Sequence, residues 1–468
     1  MRVGVASKAP FGSEFRLGRA LAKEAHERRA QTRRFVALVP AMTALTARPG
    51  RPLHGTAVVP GDKSCSHRAL ILAAMADGES LISGLNEADD VQRTIAAIAA
   101  FGAEVEQVAA GVWRIRGGPW ASPGAPIKCG NSGTTARLLI GAVAGMAGVN
   151  ATFTGDASLS VRPMKRIVTP LRRMGARIEG GDTLPLTISG ATLGGIDHRN
   201  VSASAQVKSA ILLAGQSSSA PVRIVEPVAS RDHSEIMLRQ FGCPVEMVDN
   251  GVELGAERRL TACDIAINAD PSAAAFALAA AAIAPGSSVT VEGMMVNPTR
   301  TGLFEALEAM GARVELADER IVSGEIVADV TVGHRRLQGI TITADRIAAM
   351  IDEIPVLAVV AAMADGETLI EGLAELRVKE SDRLGAILAG LVACGVTALA
   401  DGDSLRIFGR EQARGGAVLS RGDHRIAMAF LTLGLASDGP VTIDDGAMIA
   451  TSFPDFVGSM QGIGADIG

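Results

Sequence analysis

Phe101-Gly-Ala-Glu-Val-Glu, Met174-Gly-Ala-Arg-Ile-Glu, Phe241-Gly-Cys-Pro-Val-Glu, Met310-Gly-Ala-Arg-Val-Glu, Cys394-Gly-Val-Thr-Ala-Leu and Ile463-Gly-Ala-Asp-Ile are six versions of one short phrase. Each follows a helix-like apolar run and opens an extended apolar stretch. The glycine stands where a helix C-terminus takes a left-handed residue, which glycine adopts without a Cβ clash. These glycines fall at 102, 175, 242, 311, 395 and 464, with gaps of 73, 67, 69, 84 and 69. A second phrase precedes the first by about 20–30 residues in several places: Asp77-Gly-Glu-Ser-Leu-Ile-Ser-Gly, Pro285-Gly-Ser-Ser-Val-Thr-Val-Glu-Gly and Asp365-Gly-Glu-Thr-Leu-Ile-Glu-Gly. It reads as turn, alternating strand, turn. The repeating unit is therefore helix, strand, helix and strand pair, present six times. Units of this length with different insertions suit a compact α/β protein of two pseudo-symmetric halves, and a cleft between halves is a natural ligand site.

Composition supports an aliphatic, turn-rich interior. The 468 residues are 48% hydrophobic and 20% charged, with 53 Gly, 12 Phe, 2 Trp and no Tyr. So few aromatics exclude a stacking platform for single-stranded nucleic acid. The formal charge of −5 offers no chain-wide basic field for nucleic acid or an anionic membrane. It is uneven: residues 1–51 hold 11 basic and 3 acidic residues (+8), leaving 34 basic and 47 acidic residues (−13) beyond them. That basic start, with Arg28-Arg29, Arg33-Arg34 and a helical-looking run from Leu17 to Val39, is set apart from the fold as an extension. It reads as a transit peptide or anionic docking arm, or more simply as a dispensable leader before an initiating Met42, since Ser and Thr are sparse. The five cysteines form no CxxC pair, and an odd number argues for a reducing cytoplasm. Apolar runs such as 273–283 are too short for a membrane span, which takes about 20 residues.

Dense polar stretches break the repetition. Pro60-Gly-Asp-Lys-Ser-Cys-Ser-His-Arg puts Lys63, Ser64 and Arg68 at a helix start, where backbone amides and the helix dipole favour anions. Gly130-Asn-Ser-Gly-Thr-Thr-Ala-Arg is a second such turn, with Arg137 in the helix it opens. Ser202-Ala-Ser-Ala-Gln-Val-Lys-Ser is a third, hard to tell from a plain helix cap. Arg377-Val-Lys-Glu-Ser-Asp-Arg, read as helix, puts Lys379 and Arg383 on one face with Glu380 beside them. Gly422-Asp-His-Arg places His424 and Arg425 at the head of an apolar helix, and Met350-Ile-Asp-Glu-Ile-Pro sets Asp352 and Glu353 in an apolar segment where a carboxylate could act as a base. The seven histidines show no zinc spacing, no GxSxG elbow appears, and neither metal nor cofactor is expected.

Taken together and in this order, these motifs resemble the 5-enolpyruvylshikimate-3-phosphate synthase family (3-phosphoshikimate 1-carboxyvinyltransferases). The likeness spans residues 52–468 and points to the bacterial class II branch through Gly155-Asp-Ala-Ser-Leu, Asn297-Pro-Thr-Arg-Thr-Gly and Ala450-Thr-Ser-Phe-Pro. The resemblance implies an α/β fold of two inverse globular domains, each of three βαβαββ units. Residues 62–270 would form an inserted globe, with 52–61 and 271–468 the second, and the active site would lie between them. It implies transfer of the enolpyruvyl group of phosphoenolpyruvate to the 5-hydroxyl of shikimate 3-phosphate, on the route to chorismate and the aromatic amino acids. The partners implied are those two small molecules, with no nucleic acid and no membrane, for a monomer.

Carried over by motif, Lys63, Ser64, Arg68, Ser204, Ala205, Gln206, Asp352 and Lys379 would contact shikimate 3-phosphate. Lys63, Asn131, Gly133, Thr134, Arg162, Gln206, Arg383 and Arg425 would contact phosphoenolpyruvate. Asp352, Lys63 and Glu380 would be the catalytic groups, Asp352 as proton acceptor. Thr451 stands where many class I members have Lys, and Leu138 where they have Pro. Gly133 keeps the open position that admits the inhibitor glyphosate. The rival readings are the sister transferase acting on UDP-N-acetylglucosamine, whose reactive mobile loop is missing here, and a non-catalytic anion-binding homologue.

Overall fold

Each of the six glycine phrases closes a helix in the same way. The computed structural model describes residues 43–409 and 413–468, so the Leu17–Val39 run and the targeting alternatives lie outside the described residues. At all six sites the glycine is left-handed, with φ between +78° and +106°. Its N–H donates to the carbonyl three residues back at 2.9–3.1 Å, and the next N–H donates to the carbonyl five residues back at 2.9–3.2 Å. Both bonds satisfy carbonyls that the helix end would otherwise leave unpaired, which defines a Schellman motif. The residue before each glycine (Phe101, Met174, Phe241, Met310, Cys394, Ile463) is at most 2% exposed, so the turn is anchored in the core before the strand leaves.

The strands form six four-stranded sheets. In every sheet one pair is parallel and two are antiparallel. One unit shows the plan: strand Ile127–Lys128, helix Gly133–Ala144, strand Asn150–Thr154 parallel to the first, helix Lys165–Arg173, then the antiparallel strands Arg177–Glu179 and Leu186–Ser189. This is βαβαββ, and it recurs with different loop lengths. Three sheets take a strand from far along the chain. His54–Thr56 runs parallel to Ser288–Met295. Ile265–Ala266 runs parallel to Gly78–Ser83, and Leu45–Arg48 lies antiparallel between Val441–Ile443 and Asp466–Ile467. Residues 45–48, grouped by sequence with the basic extension ending at 51, are thus an inner strand, with Ala47 fully buried. Residues 44–468 form one compact unit, and the start of the fold moves back accordingly.

Buried apolar side chains collect into two cores, one from Cys65 to Ile267 with Met295 added, the other from Ala47 to Ala57 and Ala273 to Ile467. Each globe holds three of the six sheets. Helices at the centre of the second globe, Pro271–Ile283 and Ile354–Ala362, are buried along their whole length, as expected of helices apolar on every side. The chain crosses between cores at 57–62 and returns at 267–270. The two crossings are bonded to each other, Asp62 N to Asn268 O at 2.8 Å and Asp270 N to Pro60 O at 3.0 Å. Among the described residues no helix is long and apolar enough to cross a membrane.

Candidate active site

Helix starts converge on one cavity. Asp62 caps Lys63–Met75, Ser132 caps Gly133–Ala144, Ser204 precedes Ala205–Ala214 and Asp423 caps His424–Gly434. Residues Lys63, Ser64, Thr134, Ala205, Gln206, His424 and Arg425 at those starts line a cavity of about 400 Å³. The positive ends of the helix dipoles and the unpaired first-turn amides favour anions there. Arg68, Arg162, Ser204, Asp352, Lys379 and Glu380 line the same space. The structure therefore brings together twelve of the fifteen residues that the family likeness singled out.

Asn131, Gly133 and Arg383 do not reach the cavity wall. Asn131 Nδ2 donates to Asp156 Oδ2 at 3.1 Å. Gly133 lies in the first turn beneath the guanidinium groups of Arg137 and Arg162. Arg383 is 1% exposed and spends its donors on carboxylates: Nε to Asp423 at 2.8 Å, Nη2 to Glu380, and Nη1 to Asp352 at 3.4 Å. The expected single helix through Lys379 and Arg383 is also corrected. Ala374–Val378 is a 3₁₀ turn and Arg383 begins a new helix, because Asp382 caps it through a bond from Gly385 N at 3.1 Å. The two cations still face Asp352 from separate elements.

Three ion pairs join the globes across the cavity. Arg231 meets Asp352 at 2.6 Å, Arg162 meets Glu380 at 3.2 Å, and Arg166 grips Glu375 with two bonds of 2.6 and 2.8 Å. Lys63 Nζ is held by Asp90 at 2.8 Å within the first globe. Burial alone would raise the Asp352 carboxyl, but Arg425, Arg231, Lys379 and Arg383 hold it well below the usual carboxylate range. Glu380 is likewise raised by burial and lowered further by Arg383 and then Arg162, so it stays ionised. Burial, helped by the charges of Lys63 and Arg425, holds His424 neutral, with Thr451 Oγ1 3.2 Å from its Nδ1. Burial also lowers the Lys379 ammonium, and Asp352 partly restores it. Arg137, pushed down to about 9 by burial and then by Arg162, donates to Gln206 Oε1 at 2.9 Å. Such a site offers clustered cations for phosphate and carboxylate, and two carboxylates able to exchange protons.

Sequence reasoning missed Arg231. It precedes a helix in Ser230-Arg-Asp-His, which echoes the Gly422-Asp-His-Arg start, and that echo was the available signal. Asp90, Glu375 and Asp423 were missed too, since each acts by pairing with a cation distant in sequence.

The family model for EPSP synthase (3-phosphoshikimate 1-carboxyvinyltransferase) matches residues 47–460. A 3-phosphoshikimate 1-carboxyvinyltransferase from Phenylobacterium zucineum is 49% identical over 437 residues, covering 91% of this chain and 96% of that protein. One from Methylobacterium radiotolerans is 50% identical over 441 residues, covering 91% and 98%. Among solved structures, an EPSP synthase from Acinetobacter baumannii superposes with a TM-score of 0.81 at 39% identity, covering 91% of this chain and 99% of that one. The enolpyruvyl transferase NikO from Streptomyces tendae shares the fold, with a TM-score of 0.74 at 19% identity over 92% and 99%.

Proposed function

The chain belongs to the EPSP synthase family, and from that membership we infer the chemistry of the cleft. It is an enzyme of the shikimate route to the aromatic amino acids, transferring the enolpyruvyl group of phosphoenolpyruvate to the 5-hydroxyl of shikimate 3-phosphate with release of phosphate. The UDP-N-acetylglucosamine reading is not favoured, since the named relatives act on shikimate 3-phosphate. Addition comes first: the hydroxyl gives up its proton to a carboxylate of the site as its oxygen bonds to C2 of phosphoenolpyruvate, and C3 gains a proton from an acidic group. The tetrahedral intermediate then loses phosphate from C2 and a proton from the methyl carbon, restoring the double bond.

In our reading Ser64, Arg68, Ser204, Ala205 and Lys379 take shikimate 3-phosphate. Thr134, Arg162, Gln206 and Arg425 take phosphoenolpyruvate, with Asn131, Gly133 and Arg383 supporting that side. Lys63 reaches both. Two substrates that each carry a phosphate and a carboxylate bring roughly five or more negative charges into one cleft, where exclusion of water strengthens every ion pair. They would draw Arg231 and Arg162 away from Asp352 and Glu380. The cations that now hold these carboxyls low would then be shared with substrate, and both pKa values would rise toward those of useful proton carriers. The observation that carries the reading is this convergence of Lys63, Arg68, Arg162, Lys379 and Arg425 from both globes around Asp352 and Glu380.

We further place residues 62–270 in the inserted globe and the remainder from 44 in the other, in keeping with the two buried cores. A cytoplasmic monomer is the matching proposal, and five free cysteines suit a reducing compartment. The test is phosphate release from phosphoenolpyruvate with shikimate 3-phosphate or UDP-N-acetylglucosamine as acceptor. Release with shikimate 3-phosphate alone is expected. Release only with the nucleotide sugar, or with neither, overturns the reading.

A further inference from the structure

Arg300, from the Asn297-Pro-Thr-Arg-Thr-Gly motif, lies behind the cleft and does not line the cavity. Only 2% exposed, it is among the largest fully enclosed side chains of the described residues. Its Nη1 donates to Asp62 Oδ2 at 2.8 Å, and its Nη2 to Asp270 Oδ1 at 3.1 Å and Ser272 Oγ at 2.9 Å. Asp62 and Asp270 end the two crossings and cap the first helix of each globe, Lys63–Met75 and Pro271–Ile283. One guanidinium thus ties the helix that begins at Lys63 to a helix of the opposite globe.

The link continues toward the chemistry on both sides. Asp270 Oδ2 accepts from the backbone N–H of Lys63 at 3.2 Å. Ser272 Oγ donates to Glu353 Oε1, and Glu353 adjoins Asp352. We propose that Arg300 is a positioning residue for the reaction, setting Lys63 and Asp352, carried by different globes, at a fixed separation. The proposal rests on the functional reading above, which gives those two residues their roles. A displacement of about 1 Å between reacting groups can cost roughly a hundredfold in rate, so a rigid reference between globes has a direct catalytic consequence.

A metal centre does not explain the same cluster. Cys65, His233 and Glu325 offer ligand atoms within 4.8 Å of one another. His233 Nε2, however, faces Arg300 Nη1 at 3.2 Å, while Nδ1 faces Glu325 at 2.7 Å. An added cation would sit against the guanidinium. The imidazole instead relays the link from Arg300 to Glu325 of the second globe.

Arg300→Lys keeps the charge but cannot bridge both aspartates, and Ser272→Ala cuts only the branch toward Glu353. Both are compared with wild type by steady-state phosphate release, with folding checked by circular dichroism and melting temperature. We expect kcat to fall at least tenfold in each, with KM for both substrates within threefold of wild type. In a Lys63→Arg background, adding Ser272→Ala should cost less than a further threefold, because two residues acting through one geometry are not additive. A folded Ser272→Ala variant with kcat within twofold of wild type, or losses that multiply in the double variant, overturns the proposal. If Arg300→Lys does not fold, Ser272→Ala decides. Wild type supplies the reference rate, so a loss confined to variants speaks to Arg300 and a silent wild type to the functional reading.

Discussion

A methyl group on Gly133 would stand 2.6 Å from Arg137 Nη1 and 3.3 Å from the Arg162 guanidinium. Both neighbours are ends of long side chains, so the fold can yield, but the phosphoenolpyruvate side of the cleft would be re-aimed. Arg137 would lose its 2.9 Å bond to Gln206. Gly133→Ala should therefore raise KM for phosphoenolpyruvate and weaken glyphosate inhibition, each about tenfold or about 1.4 kcal/mol. KM for shikimate 3-phosphate should change less than twofold. An unchanged KM for phosphoenolpyruvate in a steady-state comparison would refute the steric argument. Most site residues were legible because glycine, hydroxyl and cation crowd at helix starts, a local signal. Arg231 was not, because one arginine in Ser230-Arg-Asp-His reads as a solvated charge until folding sets it 2.6 Å from Asp352.

At the scale of elements, the repeat was readable because a Schellman turn imposes a residue requirement at one position, and six glycines answer it. The strand Leu45–Arg48 carried no such mark. Its partners are some 400 residues away, Leu45 opposite Ile443 and Arg48 opposite Asp466, and four residues in a basic stretch show too little alternation to betray a strand. The reading of 377–383 as one helix failed for a related reason, since Asp382 could be either a helix residue or a cap, and its bond to Gly385 N decided for the cap. The borrowed strand has a measurable consequence. Thr46 and Gly468 exchange backbone bonds of 2.9 and 3.0 Å, and Ala47 is fully buried between its neighbours. A chain beginning at Pro52 should melt at least about 3 °C below one beginning at Met42, a difference of roughly 3 kcal/mol for a fold of this size. Equal melting temperatures by calorimetry would show that the strand contributes nothing.

Across the whole molecule, charge is arranged against its own total. The chain beyond residue 51 is acidic by formal count, yet the cleft gathers cations from both globes. Of the three ion pairs joining the globes across the cavity, two belong to groups that substrate would claim. The third, Arg166 with Glu375, sits at the rim with its side chains 41% and 37% exposed, and can persist while the site is filled. An exposed pair contributes only about 0–1 kcal/mol, and its expected effect is on the alignment of the globes. Its role can be separated from the plain attraction of anions. Glu375→Arg makes the rim more positive, so if only the field mattered, KM for both anionic substrates would fall. If the pair holds the globes together, two arginines will repel and KM will rise, by about threefold to fivefold. Arg166→Glu should raise KM under either view. Exchanging both residues restores opposite charges without altering the net field, and should return KM to within twofold of wild type. Salt at about 0.5 M, where screening is nearly complete beyond a few ångströms, should shrink all these differences. A fall in KM for Glu375→Arg, or failure of the double exchange to restore it, would leave the rim pair without a part in aligning the globes.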